Sequence, residues 1–72
     1  MIPHDFYILS KDGMYVRDIL NMQNCMLVDD VLLALPYDKE HALMIAKQFG
    51  LDVEHFEVEV HIVSKGMVDL DG

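Results

Sequence analysis

Basic side chains are scarce in this chain: five lysines and arginines stand against thirteen aspartates and glutamates, a formal net charge of −8 over 72 residues. A field of that sign repels phosphate backbones, so direct binding of nucleic acid is disfavoured and a protein partner with a basic surface is expected instead. Cysteine is almost missing. With Cys25 alone an internal disulfide is impossible, and the thiol reads as a small buried hydrophobe suited to a reducing cytoplasm. No apolar run approaches the ~20 residues that a membrane-spanning helix needs. Met1-Ile2-Pro3-His4 lacks the basic start and apolar middle of an export signal. A cytoplasmic location without membrane contact is therefore the expectation.

Threonine is absent too, which leaves Ser10, Ser64 and Cys25 as the hydroxyl or thiol nucleophiles besides the tyrosines. Nucleophilic catalysis needs a base and an orienting group converging on the nucleophile, and none of the three lies beside a histidine in sequence. The glycines, Gly13, Gly50, Gly66 and Gly72, are scattered, so no loop cradles a phosphate. A chain this short has little volume for an enclosed pocket. The expected activity is binding without catalysis, and no cofactor is expected.

What the chain has in quantity is apolar residues, 53% of the total. A domain of this size buries only ~60% of the surface its unfolded form exposes. Part of that apolar area is therefore expected to meet another molecule, and a homodimer is the simplest form of that. The whole of residues 1–72 reads as a single domain, with an ordered core over about 5–63 and a C-terminal tail over 64–72.

Phe6-Tyr7-Ile8-Leu9 and Met14 to Leu20 read as two strands joined at Asp12-Gly13, a dipeptide that favours tight hairpin turns. A two-residue loop sets Ser10 opposite Tyr15 and leaves apolar groups on both sides, so the buried face of the hairpin stays open. Asn21 to Asn24 reads as a second turn and Cys25 to Val28 as a short third strand. Asp29-Asp30 offers a helix cap before Val31 to Leu35, and Pro36 ends that segment. The clearest helix starts after Asp38, carries an apolar stripe of Ala42, Leu43, Ile45, Ala46 and Phe49, and stops at Gly50. In residues 54–63, Phe56, Val58, Val60 and Ile62 alternate with His55, Glu57, Glu59 and His61, which predicts one strand with a dry face and a wet, acidic one. The expected fold is α+β: an antiparallel sheet of three to four strands, opening with a β-hairpin, with one helix packed on one face in the order ββ(β)αβ. A single helix leaves the second face of such a sheet either polar or available to another molecule.

Glu54, Glu57 and Glu59, with Asp52 nearby, are the candidate acidic contact edge, and His55 and His61 beside them make contacts there sensitive to pH. The face of His55, Glu57, Glu59 and His61 carries imidazole and carboxylate, which are ligands for zinc, manganese or iron. Alternate residues on a strand lie ~6.5–7 Å apart, however, so an exposed face is the plainer reading and no metal site is assigned. A metal-binding or small-molecule-binding module with its site at a homodimer interface is the alternative. Met44, off the apolar stripe on the side of Glu40 and Lys47, is the candidate exposed apolar contact. Tyr15 and Tyr37 are candidate interface anchors, since amphipathic rings often serve so. His41, three residues after Asp38, reads as a solvent-facing side chain of the first helical turn.

Tyr7 to Val16 with its Asp12-Gly13 turn, then Val28-Asp29-Asp30-Val31 through Ala34, then Ala42, Ala46 and Gly50 at spacings of four, resemble small proteins carried by phages and prophages of Gram-positive bacteria. The resemblance spans about residues 6–62. It implies a genomic setting and no chemistry, and some such acidic proteins inhibit host nucleic-acid enzymes or defence complexes by occupying basic surfaces.

Overall fold

The computed structural model describes residues 4–21 and 24–70. Among these residues are five strands, β1 (Asp5–Lys11), β2 (Met14–Ile19), β3 (Cys25–Val28), β4 (Asp52–Val58) and β5 (Ile62–Met67), and one α-helix, α1 (Lys39–Phe49). The strands form one antiparallel sheet in the order β3-β2-β1-β4-β5. The α+β class is as expected, but the sheet has five strands where three to four were predicted.

Local chemistry explains the elements that were anticipated. Asp12 and Gly13 both take positive φ, 52° and 82°, as the tight turn requires, and Ser10 pairs with Tyr15. The Asp38 carboxylate accepts the His41 backbone N–H at 2.8 Å, and Gly50 at φ 68° closes the helix with its N–H on the Ala46 carbonyl. Ala42 and Ala46 are buried against β1 and β4, and Met44, Lys47 and Gln48 face outward. Part of the second predicted turn, Met22 and Gln23, lies outside the described residues, but Leu20 and Asn21 both donate backbone N–H groups to the Asn24 carbonyl across it.

Residues 54–63 are not one strand. β4 stops at Val58, the Glu59 N–H bonds the His61 carbonyl at 3.0 Å, and Ile62 begins the return with Val58 as its partner. Val60 sits at the tip, 97% exposed. The expected tail carries most of β5, and beyond it Val68 donates to the Val53 carbonyl and packs, with Leu70, against the core. Lys65 is the extra residue of a bulge in β5, and Gly66 beside it has φ 103°.

The wet and dry faces of β4 are also redistributed. Val53, in step with His55 and Glu57, is fully buried under α1 together with Leu9, Val16, Ala42, Ala46 and Leu51. Phe56 is buried on the opposite face with Ile8 and Ala34, and its ring stacks on Phe6 at a centroid distance of 5.6 Å. The sheet is thus apolar on both sides, as the ambiguous hairpin implied.

A single stretch of chain accounts for the second cover. After β3, Asp30 caps a 3-10 turn (Val31–Leu33) by accepting the Leu32 N–H, and Val31 and Ala34 lie over Phe6, Ile8 and Phe56. The chain then passes to the helix side where β1 and β2 diverge. Those strands pair only at Ser10–Tyr15 and Lys11–Met14. Beyond that, Leu35 donates to the Val16 carbonyl, and Tyr37 exchanges two backbone hydrogen bonds with Tyr7, at 2.8 and 2.9 Å. Backbone groups that the splayed strands leave unpaired are satisfied by this strap. Among the described residues no helix is long and apolar enough to cross a membrane.

Candidate functional site

The eight predicted contact residues do not converge. Glu54 and Glu57 are three residues apart on β4 and so project from opposite faces of the sheet. Glu54 accepts a hydrogen bond from the Ser64 hydroxyl, and Glu57 pairs with Lys65 at 3.4 Å. Glu59 and His61 are exposed in the β4–β5 turn instead of on a strand face. Met44 is exposed on the outer side of α1, as expected. Tyr15 packs into the core of the second face, while Tyr37 is half-buried on the helix side.

His55 is the predicted residue with the most defined surroundings. It is the direct cross-strand partner of Tyr7, and the two rings stack at 4.5 Å with an interplanar angle of 9°. Its Nε2 lies 3.1 Å from Asp5 Oδ2, so β1 supplies both a ring and a carboxylate to hold the imidazole. Burial pushes the Tyr7 hydroxyl up from its usual pKa, and the carboxylates of Asp5 and Glu57 push it further by repelling a phenolate. Tyr37 is raised as well, first by burial and then by Asp18 and Cys25. The two tyrosines therefore stay neutral, as hydroxyl donors and apolar faces, well beyond ordinary pH.

These residues border an open groove of about 470 Å³ between the start of β1 and the start of α1, lined by Asp5, Tyr7, Tyr37, Asp38 and Lys39, with Phe6 and Pro36 at its side. Asp38 accepts both the backbone N–H of His41 and a hydrogen bond at its Nδ1, 2.9 Å away, and the backbone bond above all holds its carboxyl below the usual range. His41 is a cap partner there, solvent-facing as predicted. A smaller groove of about 230 Å³ opens on the other face of the sheet, lined by Phe6, Ile8, Val31, Leu32, Ala34, Pro36 and Ile62, without a charged group. Sequence reasoning did not single out Asp5, Tyr7, Phe6 or Ile62 for a site. The available signal was the second face itself, which one helix leaves uncovered.

Among the described residues no three His, Cys, Asp or Glu side chains are grouped so as to hold a metal ion. Of the nucleophile candidates, Ser10 is buried in the sheet, Ser64 is bonded to Glu54, and Cys25 packs half-buried on the helix-side core. No family model, curated protein or solved structure matches the chain. The likeness to small phage proteins therefore rests on the sequence pattern alone.

Proposed function

We propose that this chain is a small acidic protein-binding module without catalytic activity, which occupies the basic surface of a partner. A phage-encoded inhibitor of a host nucleic-acid-handling or defence protein is the setting that the sequence pattern suggests. The observation that carries the reading is the pairing of charge with uncovered apolar surface: a net charge of −8 on a domain that leaves Leu32 69% and Leu33 51% exposed beside an open apolar groove. Charge of one sign steers the encounter, and the apolar groups supply residence time once the surfaces meet. The test is affinity capture from the producing cell or from the host of its phage, followed by binding kinetics with the captured protein at rising salt. The on-rate is expected to fall steeply between low and physiological ionic strength while the off-rate changes little. An on-rate indifferent to salt overturns electrostatic steering.

A further inference from the structure

The two grooves share a wall. Phe6 and Pro36 line both, so the apolar groove on one face and the groove bearing Asp5, Tyr7, Tyr37 and Asp38 on the other adjoin at these two residues. We infer that together they form a docking site for a short extended segment of a basic protein, in which an apolar side chain fills the smaller groove and a neighbouring arginine or lysine reaches Asp5 and Asp38. The inference rests on the reading of the chain as an acidic binding module and names the part of a partner that it takes.

Charge decides the occupant. The larger groove offers two carboxylates against one ammonium, that of Lys39, and is bordered by the rings of Tyr37 and Tyr7, the latter with one face stacked on His55. Asp5 already contacts His55 and Asp38 contacts His41, but a carboxylate has about four lone-pair sites, so each keeps capacity for a further donor. The smaller groove, about 230 Å³ and free of charged groups, suits one large apolar side chain. Around it the chain places Asp29 and Asp30 ahead of the 3-10 turn and Glu59 beside the start of β5, all exposed. A second copy of this chain is the rival occupant, and it brings the same excess of negative charge to the contact. An apolar anchor next to a cation meets both grooves with complementary chemistry.

The test uses the ¹⁵N-labelled protein at low salt, titrated with a capped eight-residue peptide bearing one phenylalanine flanked by arginines. The control peptide carries glutamates in place of the arginines. Amide shifts are expected to move at Phe6, Ile8, Ala34 and Ile62 and, in the same titration, at Asp5, Tyr7 and Tyr37, with no response to the control. Leu32→Ser and Ile62→Ser change exposed groove positions that the core does not need, and each is expected to weaken binding roughly tenfold, about the effect of one buried apolar side chain. Asp5→Asn is expected to weaken it several-fold at low salt, with little effect at high salt. Shifts confined to Glu54, Glu57 and Glu59 overturn the docking site while leaving the acidic-module reading intact. Equal binding of the control peptide overturns the cationic half. Groove shifts that depend on protein concentration without peptide, and vanish in Leu32→Ser, assign the site to a second copy and overturn the proposal. Absence of any shift with the arginine peptide overturns the site, while the acidic-module reading is decided separately by the salt dependence of the on-rate with the captured partner.

Discussion

The two faces of the sheet bury the same kind of side chain under very different covers. On the helix side, eleven residues of α1 lie over Leu9, Val16, Leu51 and Val53, all of which are buried. On the other side the cover is a three-residue 3-10 turn and its flanks, and the buried set shrinks to Ile8, Ala34 and Phe56. The difference teaches that a short connection can close part of a sheet face when its carboxylate caps and backbone bonds hold it, but it leaves a rim of leucines in water. One face is fully packed under the helix, and the other leaves apolar side chains in water.

The largest test of that division is truncation of the two cores. Leu9→Ala on the helix side is expected to cost about 3–4 kcal/mol, within the range for buried leucines. A chain of this length has roughly 4–11 kcal/mol of stability in total, so this variant should keep only about 0–8 kcal/mol and unfold at a urea midpoint well below the parent's. Phe56→Ala on the thinner face is expected to cost about 3 kcal/mol, the low end for a buried aromatic, because the strap is free to settle into part of the space. A cost well below 1 kcal/mol would mean that the second core contributes nothing to folding. Gly50→Ala, which puts a side chain on a residue at φ 68°, is expected to cost about 1 kcal/mol in the same assay through the helix alone. Leu32→Ser should stay within about 0.5 kcal/mol of the parent, since a side chain this exposed loses little on truncation.

Acid sharpens the comparison in a different way. The Asp38 carboxyl titrates lower in the folded chain than in the unfolded one, so its contribution is present above the unfolded value near ~3.9 and is lost as pH falls through the folded value. Thermal midpoints followed from pH 6 down to pH 2 should therefore fall through the acid range, and Asp38→Ala should fall less over the same range because it has already lost the cap. Tyr7 and Tyr37 act at the opposite end, their contribution complete below ~10 and lost as pH rises through their elevated values.

How much of this was legible in the sequence depends on whether the signal is local. Asp12-Gly13, Asp38 and Gly50 each do their work within one turn, and each was placed correctly. The same holds for Cys25–Val28, a short apolar run between turn signals. The turn at Glu59, Val60 and His61 escaped because it contains no glycine, proline or asparagine. It also preserves parity: with three residues between them, Val58 and Ile62 fall on the same face whether the chain continues straight or doubles back. Alternation alone cannot tell those cases apart. The eight contact candidates were chosen along the chain, and the grooves are assembled across it, from β1, the strap and β5. Tyr7 meeting Tyr37 and His55 meeting Asp5 are long-range facts with no mark in the local pattern.

The outermost strand has a consequence for the fate of the molecule at high concentration. Its bulge at Lys65 and the left-handed Gly66 spoil the regular row of amides and carbonyls that another chain needs in order to zip alongside, and the lysine places charge at the same spot. At the far border of the sheet β3 is only four residues long. Neither border offers a long, flat template for ribbon-like growth, so fibrils should be slow to seed from the native state despite the greasy composition.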